Sequence, residues 1–175
     1  MIRQAHIEGE NRFWLYRDWS KEDQNTGTIT FVMLNPSTAD GEQDDPTIRK
    51  CVGFATKLGY ARMYVVNLFS RRATDPIELR QGVGRWLTNS MALRERLSAA
   101  DSVVLAWGAS VMQAPDDPRK RALRGLAGII EANSIDPLCF GTSKSGHPRH
   151  PLMLPYTTDV EPWVGYPVTE WAFLK

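Results

Sequence analysis

The sequence predicts a three-layer α/β/α fold on a mainly parallel four-stranded central sheet, with one extra strand from an N-terminal β-hairpin. Two observations carry that expectation. Short runs rich in β-branched and aromatic residues alternate with amphipathic helical stretches, the pattern of β-α-β units. Four of those runs, at 28–34 (TITFVML), 62–69 (RMYVVNLF), 101–107 (DSVVLAW) and 138–140 (LCF), are largely apolar, as strands covered on both faces must be.

Each element has a local reason. Residues 12–19 (RFWLYRDW) alternate aromatic and polar side chains and read as a strand. The turn residues at 23–27 (DQNTG) suggest a hairpin from it into the strand at 28–34. That strand stops at Asn35-Pro36. Asp45 followed by Pro46 is a helix N-cap with proline at the first helical position. Ile48, Cys51, Val52 and Ala55 then share one face until Gly59 ends the helix. Thr74-Asp75-Pro76 opens a second helical region, interrupted near Gly82 and Gly84. It resumes with Trp86, Ser90, Leu93 and Leu97 on one face. Asp117-Pro118 caps a third helix, whose Leu123, Leu126, Ala127 and Ile130 align. Pro137 removes a ladder donor beside the last strand, which places that strand at the sheet edge.

With 175 residues, 42% hydrophobic and 23% charged, the chain has the composition of one ordinary globular domain. A single domain over 1–175 is expected, with a core at about 28–155, the strand at 12–19, and a tail at 157–175 whose Trp163, Tyr166 and Trp171 pack back on it. No apolar run is long enough to cross a membrane, and MIRQAHIEGENRF lacks a signal-peptide core, so a cytoplasmic monomer away from membranes is expected. Lys plus Arg number 21 and Asp plus Glu 20, a net charge of +1 that argues against indiscriminate coating of nucleic acid. The two cysteines, Cys51 and Cys139, sit far apart among apolar neighbours, as reduced core residues do, and are too few for a zinc–thiolate or iron–sulfur site.

In parallel sheets, ligands bind beyond the carboxyl ends of the strands. Here that rule selects residues 35–45, 67–74, 107–110 and 141–152, where the chemically unusual side chains also concentrate. Asn35 stands where a buried strand ends and can orient a water, or it closes an Asx-turn. Asp44 or Asp45 can act as a general base, and Asp45 as a helix cap. Ser37 lies in the same loop. Asn67 closes an apolar strand, where an amide must be satisfied; it can read a nucleobase edge or tie two loops together. Arg71 and Arg72 follow and can grip a phosphate. The last loop (TSKSGHPRHPL) carries Lys144, His147, Arg149 and His150, and a histidine there can donate to an oxygen that gains negative charge. His147 and His150 lack nearby cysteines for zinc, and magnesium on Asp40, Asp44 or Asp45 is the weaker option, so no metal and no cofactor is expected.

Together MLNPSTAD (33–40), DPTIRKC (45–51), VVNLFSRRATDP (65–76), LAWG (105–108) and TSKSGHPRHPL resemble an uncharacterised bacterial and phage family, a domain of unknown function. At one remove the layout resembles the uracil-DNA glycosylase superfamily, whose motifs read Asn-Pro-Gly, Asn-Val-Val, Leu-Gly-x-x-Ala and His-Pro-Ser-x-Leu. The counterparts here are Asn35-Pro36-Ser37, Asn67-Leu68-Phe69, Trp107-Gly108-Ala109 and His150-Pro151-Leu152. The resemblance implies a glycosylase-like fold and a metal-free DNA-repair hydrolase that cleaves an N-glycosidic bond. It implies that Asn35 positions the attacking water, Asn67 reads a flipped base, His150 stabilises the leaving base, and Leu152 or Met153 lies at the gap in the duplex. The first loop lacks the usual aromatic platform, for which Phe54 or Phe69 could substitute, and either His147 or His150 could be the catalytic counterpart. The expected partner is DNA, including single-stranded DNA, or a nucleotide. The alternatives are a non-catalytic nucleotide- or DNA-binding module using the same cleft, and a metal-dependent phosphoryl hydrolase.

Overall fold

The structure is a computed structural model that describes residues 1–21, 27–73, 79 and 85–164. In chain order it contains β1 (Ile2–Glu8), β2 (Asn11–Asp18), β3 (Thr28–Met33), α1 (Pro46–Lys57), β4 (Arg62–Asn67), α2 (Trp86–Ser98), β5 (Ser102–Leu105), α3 (Asp116–Ala132), β6 (Leu138–Cys139) and β7 (Glu161–Pro162). Single 3-10 turns lie at Ala109–Gln113 and Pro151–Met153. The helix start expected at Thr74-Asp75-Pro76, most of the 23–27 turn, and Tyr166 and Trp171 lie outside the described residues.

The strands form one seven-stranded sheet in the order β1-β2-β4-β3-β5-β6-β7. Strands β4, β3, β5 and β6 run parallel to one another. The pairs β1–β2, β2–β4 and β6–β7 are antiparallel. The mainly parallel four-stranded sheet is therefore corrected to a mixed sheet of seven strands, half of whose pairings are antiparallel.

The hairpin expected between residues 12–19 and β3 does not form. Strand β2 instead pairs with β1 and, on its other side, with β4, from Trp14 opposite Val66 to Asp18 opposite Arg62. Aromatic packing across that ladder stabilises the choice: Tyr16 and Tyr64 lie directly opposite, with ring centroids 4.7 Å apart. At the far edge, β6 is not terminal. Strand β7 pairs with it, and Trp163 N donates to Pro137 O at 2.8 Å, so the proline lies inside a paired ladder through its carbonyl.

Side-chain alternation sends the strands' two faces into two cores. Ile29, Phe31, Met33, Met63 and Val65 pack with Ile48, Cys51, Phe54 and Ala55 of α1. Val32, Val66, Val103 and Leu105 pack with Leu93 and Leu97 of α2 and Leu123, Leu126, Ala127 and Ile130 of α3. Cys51 and Cys139 are free and buried. Helix α1 starts as its sequence reads: Asp45 Oδ1 accepts from Ile48 N at 2.8 Å and Pro46 occupies the first turn. Helix α3 already includes Asp116 and Asp117, so Asp117 lies in the first turn and is not the cap. In α2, Asn89, not Ser90, joins Leu93 and Leu97 on the buried face.

Candidate functional site

A cleft of about 830 Å³ opens at the carboxyl ends of β3, β4 and β5, and its size suits a small ligand or a single nucleotide. Seven of the residues selected from the sequence line it: Asn35, Ser37, Asp45, Asn67, Arg149, His150 and Leu152. Its walls are apolar where Met33, Leu34, Ile48, Val65, Trp107 and Leu154 contribute.

Five others stand elsewhere. Phe69 is buried in the core shared with α2 and α3, so it offers the cleft no stacking face. Phe54 is likewise a core residue, on the buried face of α1, packed on Phe140 and Tyr156. Arg71 pairs with Glu10 at 3.4 Å. Arg72 donates to the carbonyl oxygens of Ser37 and Thr38 at 3.2 and 3.1 Å, which braces the loop after β3. Lys144 is exposed in the last loop and does not reach the cleft lining.

The two histidines separate cleanly. His147 is buried, accepts a hydrogen bond from Trp107 Nε1 at Nδ1 (3.4 Å), and meets Met112 Sδ through Nε2 (3.2 Å). Both ring nitrogens are thus engaged by the protein. His150 lies in the cleft, where its Nδ1 accepts from Leu152 N at 3.3 Å, which assigns the proton of the neutral ring to Nε2. Burial holds both imidazoles below the ordinary value of 6.5; Arg119 lowers His147 further, whereas Asp45 opposes the effect at His150. Gly108 makes the placement possible. Its φ is +77°, and a Cβ there would stand 3.0 Å from His150 Cβ. The last loop also closes onto β5 through Gly108 N donating to Pro148 O at 2.9 Å.

Asn35 gives both amide hydrogens to backbone carbonyls, those of Ala73 (2.7 Å) and Pro36 (3.0 Å). Its Oδ1 is the polar atom left for a ligand or water. Asp45 likewise uses one oxygen as the cap of α1 and lines the cleft. The other acids of that loop have different duties. Asp40 Oδ1 accepts from Gln43 N and Glu42 N, which holds its carboxyl below the usual range. Asp44 pairs with Arg17 at 2.7 Å and with Arg3 at 3.8 Å. Three carboxylates that are close in sequence are therefore drawn to three separate sets of partners.

Arg12 is the residue the sequence reading passes over. It is 2% exposed, lines the cleft, and donates to Ala39 O (2.8 Å) and Asn67 Oδ1 (3.3 Å). Burial lowers its pKa to about 10, against the opposing field of Asp45, so it stays cationic at neutral pH. A register shift explains its direction. Trp14 lies opposite His6 and Arg12 opposite Ile7, so Phe13 is an extra residue in β2. The bulge turns Arg12 toward the loop after β3, where Arg17 also points. A charged residue beside a β-strand phenylalanine is the one trace of this in the sequence.

These elements define a mixed α/β protein with a ligand-sized cleft, apolar-walled and carrying a few polar side chains, at the carboxyl ends of its parallel strands. The family model described as "Protein of unknown function (DUF1643)" matches residues 12–152, and the chain belongs to that family. Comparison with curated proteins gives no match, and comparison with solved structures gives none.

Proposed function

We propose that the chain is a uracil-DNA-glycosylase-like base hydrolase with a glycosylase-like fold, acting on a base in DNA without a metal. One observation carries the reading: Asn35, Asp45, Asn67 and His150, which come from distant parts of the chain, line a single cleft.

The chemistry follows from their atoms. A water held by Asn35 Oδ1 and the free oxygen of Asp45 attacks the anomeric carbon. The glycosidic C–N bond breaks, its electron pair leaves with the base, and the water's proton passes to Asp45. Charge collects on the departing base, where a neutral His150 donates from Nε2. A neutral donor keeps its proton yet stabilises the anion, and the depressed pKa of His150 supports that role. Arg12 adds a fixed positive charge. Met153, 87% exposed beside the half-exposed Leu152, supplies an apolar prong at the cleft mouth, suited to the gap left by a flipped nucleotide.

The test is incubation with oligonucleotides bearing uracil, hydroxymethyluracil and other altered bases, followed by alkali. Strand breakage that disappears in His150→Ala and Asp45→Asn supports the hydrolase. Intact strands across the panel at high protein concentration refute it, and retained salt-dependent binding would then assign the cleft to nucleotide binding without turnover.

A further inference from the structure

The cleft itself holds few of the cations that a nucleic-acid strand requires. Arg12 and Arg149 line it, whereas Arg71 and Arg72 are engaged by Glu10 and by the carbonyls of Ser37 and Thr38. With a net charge of +1 the chain has no bulk positive field, so a phosphate backbone needs a local cluster.

Such a cluster stands on α3. A second hollow, of about 600 Å³, is lined by Trp86 at the start of α2 and by Asp117, Lys120, Arg121, Arg124 and Gly125. Arg121 and Arg124 are exposed, and among the described residues neither makes an ion pair; Lys120 meets Asp116 at 3.7 Å. Asp116 is also held by the buried Arg119 at 2.6 Å, which leaves Asp117 as the acid lining the hollow against three cations. Helical spacing explains the cluster. Arg124 lies three and four residues after Arg121 and Lys120, on the side of α3 turned away from the buried Ala122, Leu126 and Ile130. Gly125 lets the half-buried indole of Trp86 lie against the helix, for a Cβ there would stand 2.7 Å from the ring. An aromatic ring among cations is the combination that holds single-stranded nucleic acid.

The hollow is tied to the cleft. Helices α2 and α3 follow β4 and β5, so both begin at the carboxyl ends of the parallel strands, where the cleft opens. The turn at Ala109–Gln113, whose Ala109 lines the cleft, leads into α3, and Arg119 fastens the helix to it through Met112 O (3.2 Å) and Ala114 O (3.3 Å).

We propose that Trp86, Lys120, Arg121 and Arg124 form a second nucleic-acid contact, which holds the backbone of the strand whose base occupies the cleft. The inference rests on the base-hydrolase reading above and names where the rest of the strand is gripped. An acidic protein segment would also meet three cations, but the indole and the continuity with the cleft favour a nucleic acid.

Fluorescence anisotropy of the full-length protein with a labelled single strand of about 20 nucleotides, over a salt series, tests it. The double variant Arg121→Gln/Arg124→Gln should bind about tenfold more weakly at low salt, whatever the base composition, and its salt slope should fall by about 1.4. Arg121→Lys/Arg124→Lys should recover most of the affinity, because a phosphate contact needs the charge. Circular dichroism should be the same for all three proteins, since both arginines are exposed. Unchanged affinity and slope in the glutamine variant, or no binding of the strand by the parent protein, overturns the proposal. So does an arginine dependence seen with poly-glutamate and not with the strand, which would give the hollow to an acidic protein. Strand breakage at an altered base, with binding indifferent to both arginines, keeps the hydrolase reading and refutes this contact. Arginine-dependent binding without breakage does the opposite.

Discussion

Arg17, fully buried, holds Asp44 through Nε at 2.7 Å. Its NH2 also donates to Asp40 O at 2.7 Å, and NH1 to Tyr16 O at 2.8 Å. One guanidinium thus organises the acidic loop that leads into α1. Removing Asp44 would strand a buried cation, which costs about 3–5 kcal/mol. Asp44→Ala should therefore lower stability by about that amount in urea unfolding. Pairing it with Arg17→Met should restore part of the loss, because the cation is gone as well. A double variant no more stable than Asp44→Ala would show that Arg17 matters through its backbone contacts alone.

Gly108 lies close against His150 at the cleft. Gly108→Ala places a methyl at φ +77° and against His150 Cβ. The backbone conformation alone costs about 1 kcal/mol or more. The expected outcome is a lower melting temperature and a larger proportional loss of turnover or ligand affinity than stability explains. A variant with a shifted melting temperature and unchanged His150 ring resonances would contradict the assigned contact.

A feature of this fold is legible in the sequence when its determinants are local. Helix α1 was legible because its cap, proline and apolar spacing lie within residues 45–59. The parallel strands were legible because each is largely apolar. Strand β1 was not: no side chain in Ile2–Glu8 is fully buried, so no apolar alternation marks it. The neighbours of β2 depend on long-range pairing with β4, which no local turn specifies. For the cleft, the rule of strand carboxyl ends found Asn35, Asn67 and His150. Arg12 escaped because its direction comes from a one-residue bulge. Arg71 and Arg72 are adjacent in sequence to cleft residues but are claimed by Glu10 and by the carbonyls of Ser37 and Thr38.

The buried imidazoles predict the sign of a pH effect. His147 and His150 have folded-state pKa values below 6.5, while an unfolded chain takes up protons near that value. Below about pH 6.5 the unfolded chain binds more protons, so stability falls with pH until the folded values are passed. Asp40, held low by backbone N–H groups, adds a loss only below the ordinary carboxylate range near 3.8. Urea midpoints should be level above neutrality and should decline between about pH 6.5 and 5. His147→Gln and His150→Gln should each flatten part of that decline. A midpoint that rises on mild acidification would reverse the assigned shifts.

Asn35 ties the end of β3 to Ala73, so its substitutions separate two of its duties. Asn35→Ala loses both donated bonds and should cost about 1–2 kcal/mol. Asn35→Asp should cost more, because a carboxylate oxygen would face the carbonyls of Pro36 and Ala73. Thermal unfolding of the two variants checks the order. If Asn35→Asp proved the more stable, the amide could not be oriented as described.

Asp45 permits the sharpest division between architecture and chemistry. One of its oxygens caps α1 at 2.8 Å from Ile48 N, and asparagine caps a helix about as well as aspartate. Asp45→Asn should therefore preserve α1. It does remove a negative charge that opposes the desolvation of Arg12, so a loss of about 1 kcal/mol is expected. A base that accepts the water's proton contributes about 10²–10⁴-fold, and an amide cannot accept it at neutral pH. Turnover on an altered-base oligonucleotide should thus fall by that factor, while binding to the same strand stays within a few-fold and circular dichroism is unchanged. Asp45→Ala should add helix destabilisation to the same catalytic loss, since it removes the cap too. Equal turnover in Asp45→Asn and the parent would leave Asp45 as a cap alone and refute its role as the acceptor of the water's proton.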